Sequence, residues 1–312
     1  MGGTGRAADG GGAQVPAAPP ASEQQGAGAS ADPLGDPPAG FRYESFLDVV
    51  VAVPATWGYA QAPGSDWCAA DSTEDPPPAG PYVTLNPNRP VRAILCPGAV
   101  PEHLQQTHLE WRRAEPGDVD GAVTHNGWGY TSRRVGAALV TVVHRPGDDV
   151  AGTILASARR VGVDHHGCAA TGPTVARPEA AASGAETAVA EAVLCQYDDL
   201  TATPNLVTST RLTAAAASGL AAAIAASPTA AGAAVEPDCL PDDRDVTRVV
   251  VRLGGAGTSR EVWLTLGGCR VPTFDDGTTY RTPTRAACTG VLAPPLARWV
   301  WSASSRGPCG PA

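Results

Sequence analysis

Six histidines lie along the 312 residues, and only His165 and His166 are neighbours. Asp164 precedes them and Gly167-Cys168 follows, giving a string whose carboxylate, imidazoles and thiol are all metal-ligand types. Adjacent side chains on an extended segment point to opposite faces, so one ion seldom takes both. No HExxH or comparable partner set occurs elsewhere. The string therefore reads as a solvated turn ending in a disulfide, with His165 and His166 the candidate ligands that remain; no metal and no cofactor are assigned. Gly117-Asp118-Val119-Asp120-Gly121 opens like a calcium loop but lacks the third acidic position and the closing glutamate, so it reads as a turn. Phe274-Asp275-Asp276-Gly277 reads as a reverse turn. No GxSxG elbow seats a nucleophilic serine, so no catalytic residue is assigned, and a hydrolase would need dispersed Ser, His and Asp side chains. The pairs Arg112-Arg113, Arg133-Arg134 and Arg159-Arg160 read as solvated surface.

Trp57, Trp67 and Trp128 sit among Gly, Tyr and Pro. Exposed, they would make a partner surface or a stacking platform for sugars. Buried, they plug the loop-rich end of a small sheet, the ordinary fate of large aromatics.

Every basic residue apart from histidine is arginine; there is no lysine. That excludes a Walker A loop, the usual protein-kinase site and Schiff-base catalysis, all of which need a lysine amine. The formal net charge is -9, which disfavours nucleic acid as a partner. No apolar run approaches the ~18 residues of a membrane span, so membrane contact is expected only through a segment outside this chain.

The eight cysteines are Cys68, Cys96, Cys168, Cys195, Cys239, Cys269, Cys288 and Cys309, with no CxxC pair among them. An even number at wide spacing suits structural disulfides, which persist in oxidising compartments. Met1 is followed by Gly, Ala and Asp rather than by a basic stretch and an apolar run. An export signal or anchoring helix is therefore expected upstream.

Residues 1–40 are Gly, Ala, Pro, Ser and Gln with almost no large apolar side chain, and read as a disordered tether. A first unit is expected over 41–168, a linker over 169–187 and a second unit over 188–312. In the first, Leu47–Val53, Val91–Leu95 and Ala138–Val143 read as strands, and Val150, Ile154, Leu155 and Ala158 as a helix after Asp148-Asp149. The stretches Asp75–Pro81 and Glu115–Gly129 read as loops. In the second, Ala190–Tyr197 reads as a strand and Arg211–Ala226 as a helix capped by Ser209 or Thr210. Alternating Val249, Val251, Leu253 and then Val262, Leu264, Leu266 read as a hairpin that brings Cys239 and Cys269 to one end. Ala287–Trp301 reads as a helix interrupted at Pro294-Pro295. Cys239–Cys269 is the best pairing and Cys68–Cys96 a weaker one. A linker at 169–187 leaves three cysteines before it and five after, so complete pairing needs at least one bridge across it. The fold expected is α+β: two small antiparallel-sheet-plus-helix units, disulfide-stabilised, behind the tether.

Phe41-Arg42-Tyr43-Glu44-Ser45 through Val53-Pro54-Ala55-Thr56-Trp57-Gly58-Tyr59, with Trp67-Cys68, resembles the extracytoplasmic part of actinobacterial single-pass membrane proteins. Ser157-Ala158-Arg159-Arg160-Val161 and Gly167-Cys168 are similar too. The second unit resembles a module of actinobacterial secreted proteins. There Leu194-Cys195-Gln196-Tyr197 fits the opening, Cys239 the middle cysteine and Leu266-Gly267-Gly268-Cys269-Arg270-Val271 the close. Cys288 and Cys309 lie outside that three-cysteine pattern. The resemblance implies an envelope-anchored or secreted protein and brings no activity with it. The function expected is a non-catalytic binding or sensory module of the cell envelope, with an envelope protein or cell-wall ligand as partner. The alternatives are an envelope hydrolase with a dispersed, motif-free site and a structural cell-wall-associated protein.

Overall fold

Turn chemistry sets the strand boundaries. In the computed structural model, which describes residues 34–62, 80–85, 100–180, 188–198, 203–233, 246–255, 258–267, 270–296 and 308–309, the chain opens with a hairpin. β1 (Phe41–Phe46) pairs antiparallel with β2 (Val49–Pro54), and Phe46 faces Val49. Leu47 and Asp48 are thus the turn, not the start of a strand as their apolar neighbours suggest; Leu47 takes the left-handed φ of 53°. Asp48 offsets that strain by bracing two other segments. Its Oδ1 accepts the Ala137 N–H at 3.0 Å and its Oδ2 accepts Arg160 Nε at 2.8 Å.

β3 (Gly58–Ala60), β4 (Tyr82–Thr84), β5 (His108–Arg113), β6 (Gly121–His125), β7 (Trp128–Val135) and β8 (Ala138–His144) form a six-stranded sheet in the order β3-β4-β5-β8-β7-β6. β3, β4 and β5 run parallel, so this sheet is mixed rather than antiparallel throughout. The expected loop Glu115–Gly129 contains β6. Asn126-Gly127, at φ 49° and 76°, is the two-residue turn that leads from β6 into β7. Helix α1 (Val150–Ser157) starts where expected, although the Asp148 carboxylate, not that of Asp149, accepts the first free N–H, that of Val150. β9 (Arg159–Arg160) then joins β2 to complete a three-stranded sheet.

The second half is one seven-stranded antiparallel sheet, built from β10 (Glu191–Asp198), β11 (Asn205–Leu212), β12 (Thr229–Ala230), β13 (Val246–Gly255), β14 (Thr258–Gly267), β15 (Arg270–Asp275) and β16 (Tyr280–Arg281). The spatial order is β11-β10-β13-β14-β15-β16-β12. The helix expected from Arg211 begins later, as α2 (Ala214–Ala225), because Thr208, Thr210 and the residues beside them extend β11 through Leu212. Thr213 caps α2 by accepting the Ala216 N–H. Helix α3 (Arg285–Val291) is capped in the same way by Thr284.

Strand β10 is buried along nearly its whole length because both faces of this sheet are covered. On one face Leu194, Val249, Val251, Leu264 and Phe274 meet Leu220, Ile224 and Val291 of α2 and α3. On the other, Cys195, Tyr197, Val250 and Trp263 meet Cys168. A third core joins β2, β5 and β8 to α1 through Val49, Val51, Leu109, Val140, Val142 and Ile154. Each fully buried aliphatic side chain contributes about 1.5–3 kcal/mol. The described residues thus form an α+β protein, mostly strand, with three α-helices and three sheets rather than the two expected.

Two disulfides lie among the described residues. Cys168–Cys195 spans 169–187, the crossing that a three-and-five split of the cysteines demands, and Cys288–Cys309 ties α3 to the C-terminal segment. Cys68, Cys96, Cys239 and Cys269, with the pairings expected of them, fall outside the described residues. So do Trp67, the strand expected over Val91–Leu95 and the tether before residue 34. The described residues, from 34 onward, belong to one compact unit.

Candidate functional site

β1 runs beside the outer edge of β11, where the Leu47 N–H donates to the Leu206 carbonyl at 2.7 Å. Successive residues on a strand face opposite ways. Glu44 and Thr208 accordingly line a crevice on one side of this seam. Ser45 and Ser209 meet the turn Asp164–Gly167 on the other. Arg113 pairs with Asp198 at 3.1 Å, and Arg252 donates to the Gly167 carbonyl at 2.6 Å, so the two halves are clamped from several directions.

The turn is built around Asp164. Its Oδ1 accepts the backbone N–H groups of His166 and Cys168, at 2.9 and 2.8 Å. Its Oδ2 accepts the hydroxyl proton of Ser209 at 2.5 Å. Ser209 Oγ also lies 2.9 Å from His166 Nδ1. A serine hydroxyl has one proton, and here it goes to the carboxylate. The imidazole must then donate, which fixes neutral His166 as the Nδ1–H tautomer with its free lone pair on Nε2. His165 Nδ1 lies 3.3 Å from Ser45 Oγ, and the two imidazole centroids are 3.8 Å apart. The reason for separating these histidines fails, since residues 164–167 are a turn and both rings fall on the same side. The turn itself stands as expected and ends in a disulfide, but its histidines are half-buried rather than solvated.

Burial holds His166 down at about 4, with the neighbouring His165 and Arg211 adding to it against the pull of Asp164. Burial likewise lowers His165, again with Arg211 adding to it. Both rings are neutral at pH 7. Among the described residues neither Nε2 takes part in a hydrogen bond. One oxygen of Asp164 and one nitrogen of each ring lie within 4.8 Å of one another.

Ser, His and Asp do converge here, but in an order unlike that of a nucleophilic triad. There the base takes the serine proton and the acid orients the base. Here the acid takes the serine proton directly and the histidine donates to the serine. Ser209 is also only 5% exposed.

On the crevice side, Glu44 is 3% exposed, and its Oε1 accepts both Arg42 Nε and the Tyr59 hydroxyl at 2.7 Å. Arg42 stacks over the Tyr59 ring at 4.7 Å and donates to the carbonyls of Ala55 and Trp57. Burial pushes the Glu44 carboxyl above its usual range against the pull of Tyr59 and Arg42. Burial also raises Tyr59, which stays a phenol and a donor. The crevice has a volume of about 270 Å³ including its open mouth, and apolar walls from Val83, Leu85, Trp111, Val207 and Pro295. Nearly all of that is open solvent: the enclosed space is about 10 Å³, room for roughly one water and not for a ligand group.

Trp57 and Trp128 are buried, so neither offers a face to a partner. Trp57 belongs to the core under α1, and Trp128 is covered by the Arg145 guanidinium 4.2 Å from its ring. The arginine pairs lie at the surface as expected, Arg134, Arg159 and Arg160 exposed, but their guanidinium groups are engaged. Arg112 holds Asp118 with two bonds of 2.7 Å, which also takes Asp118 away from any calcium role. Arg133 donates to the Leu155 carbonyl, Arg159 to the Tyr43 hydroxyl and Arg160 to Asp48. The turn expected at 274–277 sits two residues later: Phe274 and Asp275 belong to β15 and pair with β16, and Asp276 accepts the N–H groups of Thr278 and Thr279. Sequence reasoning passed over Ser45, Ser209, Arg42, Glu44 and Tyr59. The one local signal was Arg42 and Glu44 two apart on a strand, which puts opposite charges on one face.

Comparisons with protein-family models, with curated proteins and with solved structures find no match to this chain.

Proposed function

We propose that this chain is a non-catalytic binding or sensory module that works in an oxidising compartment outside the cytoplasm, held in or secreted to the cell envelope. The observation that carries the reading is the hydrogen-bond order Asp164–Ser209–His166, which withholds the serine proton from the imidazole. The constellation most like a hydrolase's is thereby a brace across the seam. Two disulfides support the compartment, because such bonds persist where oxidants prevail. No helix among the described residues is long and apolar enough to cross a membrane.

Two experiments test the reading. A fluorophosphonate probe should leave Ser209 unlabelled after hours at pH 7.5; stoichiometric labelling would restore the hydrolase. The oxidised chain should be retained on purified cell-wall fragments or envelope proteins. Retention no better than that of reduced, denatured chain would sink the binding role and leave the structural one.

A further inference from the structure

The imidazole pair has more order than a brace requires. His166 is held by a hydroxyl that is itself held by a carboxylate, and a second hydroxyl lies beside His165 Nδ1. These supports come from β1, β11 and the 164–167 turn, and Cys168–Cys195 fastens that turn covalently to β10. Histidines that bind metals have this arrangement: the non-ligating nitrogen donates outward and so fixes ring and tautomer. What is left over is a lone pair on Nε2 of His166, a second imidazole whose centroid is 3.8 Å away, and half-buried rings that solvent can still reach.

We propose that His165 and His166 bind one divalent transition cation of the class that prefers nitrogen ligands, with Asp164 and Ser209 as positioning residues and the remaining coordination positions open to water or to a ligand's donor atom. Nitrogen–metal bonds of about 2.0–2.1 Å need two ligand nitrogens roughly 3–3.5 Å apart. The rings are tilted at 41°, with one nitrogen of each within 4.8 Å of the other, and side-chain rotation has to close the remaining distance. Calcium and magnesium are disfavoured, since the single carboxylate already accepts three hydrogen bonds and, among the described residues, no other carboxylate joins the cluster. Among the cations that remain, copper(II) should bind tighter than nickel(II) or zinc(II). The inference goes beyond the binding or sensory role and does not depend on it, because the readout is the metal itself.

The test uses the full, oxidised chain stripped with chelator and then titrated with copper(II) and zinc(II) separately. One equivalent of copper(II) should bind, with nitrogen hyperfine structure in its paramagnetic resonance spectrum. Zinc(II) should shift the ring resonances of His165 and His166 ahead of those of His103, His108, His125 and His144. Because these two readings need no variant, they decide the matter even where a substitution unfolds the protein. His166→Ala and His165→Ala should each weaken copper(II) by tenfold or more, while His125→Ala, on exposed β6, should change nothing. Ser209→Ala should weaken it by about 10–100-fold, and Ser209→Thr, which keeps the hydroxyl, should restore it with the same spectrum. Three outcomes would overturn the proposal: no saturable binding below 1 mM, first shifts on the other four histidines, or unchanged binding in the His165→Ala/His166→Ala chain.

Discussion

The two sides of the β1–β11 seam solve the burial of polar groups in different ways. On the crevice side, the Glu44 carboxylate meets a cation and a phenol, so charge faces charge and the cluster is held electrostatically. On the turn side, the only formal charge in the chain of bonds is that of Asp164, and it is satisfied by two N–H groups and a hydroxyl. The histidines beyond are neutral and keep lone pairs unused. A buried polar group whose partner carries the opposite charge is fixed in one state. A neutral imidazole at the end of a hydrogen-bonded chain can still take a proton or a metal. Two residues adjacent in sequence, Glu44 and Ser45, thus serve a locked face and an adjustable one.

Breaking the comparison should cost most at its covalent anchor. Replacing both Cys168 and Cys195 by alanine reopens a 27-residue separation and should cost about 3–4 kcal/mol in denaturant melts. Hydrogen exchange should rise at residues 164–168 more than at Glu44 and Tyr59. Glu44→Ala comes next. It strands the partly buried Arg42 guanidinium and should cost about 2–3 kcal/mol by thermal melt, while Glu44→Gln should recover part of that through Tyr59. A sharper contrast lies along one strand. Ser209→Ala removes the donor to a buried carboxylate and should cost about 1–2 kcal/mol, whereas its neighbour Thr208→Val, at the crevice wall, should stay below about 1 kcal/mol in the same urea titration.

The smallest effect is in pH, and there the two faces should oppose one another. His166 has a folded value of about 4 against an ordinary 6.5. The unfolded chain therefore binds its proton first, and this contribution is present above 6.5 and lost as pH falls toward 4. The folded value of Glu44 is raised above its ordinary 4.5. Its contribution is present below 4.5 and lost as pH rises through the folded value. Stability measured from pH 4 to 7 should rise more steeply in Glu44→Gln and more gently in His166→Gln than in the unaltered chain.

How much of this was legible follows from the range of the forces. The helix cap before Val150, the β8 strand and the β13–β14 hairpin are local patterns of period and turn chemistry, and the sequence reading placed them well. Asn126-Gly127 carried an equally local hairpin signal that the glycine-rich surroundings hid. The start of α2 was misplaced because Ser209 and Thr210 are good caps in isolation, yet pairing with β10 claims them for a strand. The site itself was not legible. Ser45 is 120 residues from His165 and Ser209 is 43 from His166, and no spacing rule links strands that meet only at a seam. The Asp-His-His string was visible, but the rule that separates neighbouring side chains applies to extended backbone and not to a turn.

The central claim is the direction of one proton. Long-range nitrogen–hydrogen correlation spectra of the histidine side chains, taken at pH 7 on the oxidised chain, read that proton directly. At pH 7 His166 should be neutral, protonated on Nδ1 and bare on Nε2. A His166 protonated on Nε2 would mean that Ser209 donates to the ring, and the non-nucleophilic reading of this site would be contradicted.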